Sequence, residues 1–327
     1  MRVEFTGQGI YLADLDLWLD PHHRQRRAWI SHAHRDHAGA VHEEVYATAE
    51  TLALYRIQHG GALEGAALRA VPFGQSWELC GARLTAYPAA HVLGAAQLLV
   101  QWRGLRLLYT GDVKLLPPLC GRPTETVRAD RLIVESTFGL PIFHFLTREQ
   151  ARERIVAFAR CALEEGRCPV LLAHELGRAQ EVAHVLCQAG VPVAVHPAAA
   201  RYLPVYAEAG FPMPGWDEWN GSALPEAALV LPPRFRASVQ LPRRRVRIAY
   251  VSGWAALDNA RARTGAEELI PYSDHAGFEE LLELVEATGA REVDVVHGYT
   301  GAFARILTLR GKLARAPERP RPEGENG

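Results

Sequence analysis

The run Ser31-His32-Ala33-His34-Arg35-Asp36-His37 constrains this chain more than any other stretch, because it sets three imidazoles and a carboxylate in one turn directly after an apolar segment, 27–30. Groups held that close compete for water and repel when protonated unless a cation compensates them. Alternate residues of an extended segment share a side, so His32 and His34 face one ion. Asp36 and His37 fall where the chain turns and reach a second. The spacing therefore predicts a two-metal site rather than a solvated polar loop.

Later segments repeat one pattern, an apolar strand followed by a ligand type with glycine nearby. His91 lies in Pro88-Ala89-Ala90-His91-Val92-Leu93-Gly94, Asp112 in Tyr109-Thr110-Gly111-Asp112, and His297 between Val296 and Gly298. Brought to one rim of a sheet, His32, His34 and His91 complete one metal site and Asp36, His37 and His297 a second, with Asp112 bridging. Ions bridged in this way sit roughly 3.5–4 Å apart and activate a nucleophile at neutral pH.

A formal charge of −1 over 327 residues does not mark a general polyanion binder, so an anionic substrate has to be held locally by arginine and metal. Lys114 and Lys312 are the only lysines. Cys80, Cys120, Cys161, Cys168 and Cys187 form no C-x-x-C pair and are odd in number, which reads as reduced thiols. No leader pattern and no membrane-length apolar run is seen, so a cytoplasmic protein without membrane contact is expected.

Short strands are expected at 9–12, 15–20, 27–30, 83–87, 96–102, 105–110 and 132–135, with a helix at 50–59. From 147 the texture changes to helix 148–165, strand 169–172 and helix 177–188, an α/β alternation. A Pro/Gly/Trp-rich loop at 211–220 interrupts it. Strand 246–251, helix 277–288 and strand 292–296 follow, and the tail 317–327 reads as disordered.

These residues resemble the metallo-β-lactamase fold. The segments Glu135-Ser136-Thr137-Phe138-Gly139, Leu176-Gly177-Arg178-Ala179-Gln180-Glu181, Ser252-Gly253-Trp254 and Ser273-Asp274-His275-Ala276 resemble its β-CASP nuclease branch. Leu19-Asp20-Pro21, Glu135 through Ile142, Tyr272-Ser273-Asp274-His275 and Val296-His297-Gly298-Tyr299-Thr300 are most similar to the bacterial exonucleases that work with a DNA ligase and a helicase in repair. The resemblance runs from Asp20 to about Thr300.

It implies an αββα sandwich of class α/β carrying an inserted cassette: 1–146 and 248–316 as the lactamase domain, 147–247 as the cassette that covers the metal cleft. It implies two divalent ions, zinc first and manganese as the alternative. By resemblance Asp20 orients the histidine turn, and Glu135 holds His275, which protonates the leaving oxygen while Asp36 and the other ligands serve the metals. A phosphodiester's departing alkoxide is a poor leaving group, so a positioned acid contributes appreciably. Arg178, opening a helix after Gly177, and Ser252-Gly253 are candidate phosphate contacts. Arg234, Arg236, Arg243, Arg244, Arg245 and Arg247 could track a backbone. A His at 297 is typical of RNA-processing members, whereas the flanking Thr-Phe-Gly-Leu-Pro-Ile and His-Gly-Tyr-Thr contexts resemble the DNA exonucleases, so DNA is favoured over RNA. A small-molecule hydrolase and a non-catalytic scaffold are the weaker readings.

Overall fold

The computed structural model describes residues 1–221 and 223–318, which form two compact units. The first gathers Met1–Leu115, Arg122–Ile142 and the chain from His275 onward; the second holds Leu116–Gly121 and Phe143–Asp274.

Two sheets build the first unit. One runs, in spatial order, Val3–Thr6, Gly9–Leu12, Leu17–Leu19, Arg27–Trp29, Glu44–Ala47 and Ala67–Ala70. The other runs Leu313–Arg315, Glu292–Gly298, Arg131–Ser136, Leu105–Tyr109, Ala96–Trp102, Ala82–Pro88 and Ser76–Leu79. Strand alternation sorts the second sheet's side chains onto two faces. Leu98, Val100, Leu107, Tyr109 and Ile133 pack against Ile10, Leu12, Leu17, Leu19 and Trp29 of the first sheet. Their neighbours Leu99, Leu108, Leu132 and Val134 point the other way, onto Phe278, Leu281 and Val285 of helix Phe278–Thr288 and Phe303 and Leu307 of helix Thr300–Leu309. On the outer face of the first sheet, Ala28, Val45 and Ala47 meet Leu52 and Tyr55 of helix Ala49–His59. Helix, sheet, sheet and helix thus stack as the expected αββα sandwich.

Strand direction makes the metal rim. Leu105–Tyr109, Arg131–Ser136 and Glu292–Gly298 are mutually parallel, and Ala82–Pro88 shares their direction because Ala96–Trp102 lies antiparallel between it and Leu105–Tyr109. Their carboxyl ends, which precede His91 and Asp112 and carry Glu135 and His297, therefore emerge on one side.

The second unit is a parallel sheet in the order Trp216–Glu218, Val193–Val195, Ala228–Leu231, Cys168–Leu172, Val246–Val251, Glu268–Ile270. Val170, Leu172, Leu229, Leu231, Val246 and Ile248 form its core. Two expectations are corrected here. The return to the first unit, expected at 248, falls instead at His275, because Val246–Val251 pairs with Cys168–Leu172, Ile248 opposite Val170, and Glu268–Ile270 adds outside it. The 211–220 loop also contains an edge strand, Trp216–Glu218, because Trp216 finds Val193 as a ladder partner. Of the tail expected to be disordered, 319–327 lies outside the described residues. Among the described residues no helix is long and apolar enough to cross a membrane, and the cysteines are free thiols.

Candidate metal centre

The histidine turn leaves strand Arg27–Trp29 and closes into a one-turn helix, Arg35–Ala38. His32, His34 and His37 are buried, as are His91 and Asp112. One nitrogen or oxygen from each of His32, His34, His91 and Asp112 falls in a group spanning at most 4.8 Å. Oδ2 of Asp112 stands 3.5 Å from His32 Nε2, 3.7 Å from His91 Nε2 and 3.3 Å from His37 Nε2. One carboxylate oxygen thus reaches imidazoles expected to serve both ions. The second set is gathered more loosely: the Asp36 side chain is 73% exposed with Oδ2 3.8 Å from His37 Nε2, and the His297 ring lies 5.1 Å from that of His37.

Nε2 of His32 and Oδ1 of Asp112 are buried with no hydrogen-bond partner among the described residues. Orphaned polar atoms that converge in a buried nest are costly unless positive charge fills the space between them. A divalent ion taking imidazole nitrogen and carboxylate oxygen fits this donor set. Burial and the neighbouring His37 and His91 hold the His32 imidazole well below its ordinary pKa, neutral with a lone pair to offer. Burial acts the same way on His37, but the Asp112 and Asp20 carboxylates outweigh it and hold that pKa well above the ordinary value.

Asp20 organises the turn. Its Oδ1 accepts from the Ser31 amide at 2.7 Å, and its Oδ2 accepts from the Ser31 hydroxyl at 2.5 Å, from Tyr109 Oη at 2.7 Å and from His37 Nδ1 at 2.7 Å. These bonds hold Asp20 at φ +43°, a conformation few residues adopt unaided. With Nδ1 occupied by Asp20, His37 directs Nε2 to Asp112, the arrangement that fixes tautomer and ring orientation in metal-ligating histidines. Tyr109 has no role in the sequence reading; the strand alternation that points it into the intersheet core was the available signal.

Two glycines and a bulge complete the geometry. Gly111, at φ +56°, lies so close to Ser31 that a Cβ there would sit 2.6 Å from its side chain. Glu135 pairs with Val296 and Ser136 with Gly298, so His297 is the extra residue of a β-bulge, at φ +55°. Bulges re-aim side chains, and this one takes His297 out of the strand's alternation. At Gly298 a Cβ would lie 2.3 Å from the Ser136 carbonyl oxygen.

Beside the nest, Glu135 is fully buried and its Oε1 stands 2.8 Å from His275 Nδ1. The same oxygen accepts from the Val113 amide at 2.9 Å, and Oε2 accepts from the Thr137 amide at 3.1 Å. His275 Nδ1 is 3.9 Å from Asp112 Oδ2, and its ring is 4.5 Å from that of His91. A partly exposed imidazole oriented by a buried carboxylate, next to a ligand nest, can exchange a proton with a bound substrate.

The cassette candidates fare differently. Arg178 is corrected: it is buried, ion-paired to Glu181 and 3.6 Å from Asp274, with its guanidinium 4.1 Å over the Tyr272 ring. Glu181 in turn accepts from the Leu119 and Cys120 amides. Arg178 is a structural pin of the second unit, and its charge is already compensated. Ser252 Oγ accepts from the Trp254 amide at 3.2 Å, and Gly253 opens a short 3-10 turn at the carboxyl end of Val246–Val251. Open parallel sheets take ligands at that edge. Arg243, Arg244 and Arg245 are exposed but precede the same strand, at the sheet's amino edge; Arg247 pairs with Glu165 and Glu267, and Arg234 with Glu175. The arginines therefore do not form one track.

No family model matches the chain. A protein of Opitutus terrae named probable DNA ligase is 35% identical over 322 residues, covering 96% of this chain and 31% of that protein. The endoribonuclease YSH1 of Eremothecium gossypii is 33% identical over 161 residues, 48% of this chain and 19% of that protein. The chain thus spans about a third or less of the length of these curated relatives. A solved structure of a protein of unknown function from Enterococcus faecalis V583 matches with a TM-score of 0.56 and 13% identity, over 82% of this chain and 74% of that one. With the αββα sandwich, the parallel α/β unit inserted into it and the histidine turn on one side of these similarities, the chain belongs to the β-CASP branch of the metallo-β-lactamase family.

Proposed function

We propose that this chain is a metal-dependent phosphodiesterase of nucleic acid, and more narrowly a DNA exonuclease that works in the cytoplasm beside a DNA ligase and a helicase in repair. The observation that carries the reaction is the His275–Glu135 pair at 2.8 Å, set next to the nest around Asp112. Hydrolases of small activated substrates need no such acid. Phosphodiester hydrolysis gains appreciably from one, because a poorly leaving alkoxide must depart.

In this reading His32, His34 and His91 would hold one divalent ion and Asp36, His37 and His297 a second, with Asp112 a ligand that either ion could take. Zinc is the first candidate and manganese the second. Bound there, the ions would supply Lewis-acid activation of the phosphodiester and of water. The chain's own residues do the rest. Asp20 orients His37 through Nδ1, Glu135 accepts from His275 Nδ1, and His275 gives the proton on its other nitrogen, Nε2, to the departing oxygen. Ser252 and Gly253 are kept as phosphate contacts at the carboxyl edge of the cassette sheet.

DNA is favoured because nearly the whole chain aligns within a protein named for ligating DNA. The similarity to an endoribonuclease over about half the chain supports the RNA-processing alternative. End-labelled linear and circular DNA and RNA of equal sequence, digested with added zinc or manganese, test the choice. Progressive loss of linear DNA to short products is expected. Faster digestion of RNA, or equal cutting of circular single strands, would replace the DNA exonuclease with the RNA enzyme.

A further inference from the structure

The backbone of the metal turn carries four carbonyls that its own one-turn helix leaves without helical partners, and each is met by a side chain from outside the turn. Gln58 Nε2 donates to the Ala33 carbonyl, His59 Nε2 lies 2.7 Å from the Ala38 carbonyl, and Tyr55 Oη donates to that of Ala40 at 2.6 Å. His22 Nδ1 lies 3.1 Å from the Asp36 carbonyl. Residues 55, 58 and 59 fall at i, i+3 and i+4, so one face of helix Ala49–His59 presents all three donors. That helix is itself fixed: Thr48 caps its start, and Leu52 and Tyr55 are seated in the core beneath the first sheet.

The clamp divides along the ligand sets. Gln58 holds the carbonyl between His32 and His34. His59 holds the carbonyl of Ala38, next to His37, and His22 holds that of Asp36, the ligand candidate left most exposed by the fold.

We infer that Gln58, His59 and His22 are positioning residues, with Gln58 fixing the first ion's ligands and His59 and His22 setting the affinity of the second ion's site. The inference rests on the two-metal reading of the turn. Outer partners of metal ligands typically change affinity by about 10–100-fold when removed, and that is the size expected here.

The test uses the full chain, stripped of metal, as wild type and as Gln58→Ala, His59→Ala, His22→Ala and His59→Gln. Zinc titration by calorimetry reads each ion's affinity, and amide hydrogen exchange before zinc is added reads the turn itself. His59→Ala and His22→Ala should weaken the second ion about 10–100-fold and leave the first within about twofold, whereas Gln58→Ala should act on the first. Exchange at His37 and Ala38, whose amides bond the His34 carbonyl, should speed by about tenfold in His59→Ala. His59→Gln, which keeps a terminal donor, should recover most of both effects. Unchanged affinities and unchanged exchange in all three alanine variants would overturn the clamp. A wild type that binds no zinc would sink the metal reading instead, and the exchange data would still decide the clamp. Unaltered protection of the Ala96–Trp102 strand shows that the variants are folded.

Discussion

His37 Nδ1 stands 2.7 Å from Asp20 Oδ2, and that contact joins the second half of the histidine turn to the strand end that precedes it in the chain. The same carboxylate oxygen takes the Ser31 and Tyr109 hydroxyls. Asp20→Ala removes the acceptor of four buried hydrogen bonds, from the Ser31 amide and hydroxyl, Tyr109 and His37, and frees the His37 ring. Stability should fall by about 3 kcal/mol or more, read by chemical unfolding, because each buried group loses a charged partner. Asp20→Asn keeps part of the packing and should fall between the two.

Asp36 and His37 should separate by stability and agree in activity. Asp36 is exposed, so Asp36→Ala should change unfolding free energy by no more than about 0.5 kcal/mol. His37→Ala removes a buried partner of Asp20 and should destabilise clearly. Both should abolish hydrolysis, since each empties a ligand position of the proposed second ion. Near-normal turnover in either variant, measured on a labelled oligonucleotide, contradicts the bridged arrangement.

For His275, substitution by alanine should slow cleavage of DNA by roughly 10²–10⁴-fold without loss of bound metal. On a nitrophenyl phosphodiester, whose leaving group departs without a proton, the loss should shrink sharply. Equal losses on both substrates assign His275 to binding or structure. Glu135→Gln, which withdraws the carboxylate from His275 Nδ1, should follow the same pattern to a smaller degree.

The thiols give a prediction independent of catalysis. Burial pushes the Cys168 and Cys187 thiols up to about 11 and raises that of Cys120, so at pH 7.5 all three stay protonated. A thiol whose folded pKa is raised gains thiolate only as the pH climbs toward that value. Cys80 and Cys161, which are exposed, should react with a disulfide reagent in the native protein well before the others. Uniform labelling of every cysteine at the same rate contradicts this packing.

The metal turn was legible because its ligands are local and each distant ligand announces itself at a strand end beside glycine. The parallel directions of Ala82–Pro88, Leu105–Tyr109, Arg131–Ser136 and Glu292–Gly298 supply what the letters alone could not, a shared rim. Strands Val193–Val195 and Ala228–Leu231 were missed because short runs buried on both faces carry no alternation to read. Arg178 was misread for a different reason: its partners Tyr272 and Asp274 lie far along the chain, so nothing near Gly177 signals that the guanidinium is already engaged. The cassette's end was misplaced because Val246–Val251 has the composition of a strand from either unit, and only its pairing with Cys168–Leu172 decides which sheet it joins.

The most direct test of the account is a metal titration of the stripped chain, with ion binding and digestion of a linear end-labelled single-stranded DNA followed in the same samples. The account predicts no digestion without metal and a rate that reaches its plateau as the second ion per chain binds. Undiminished digestion by the stripped protein, or a plateau at one ion with no further binding, contradicts it.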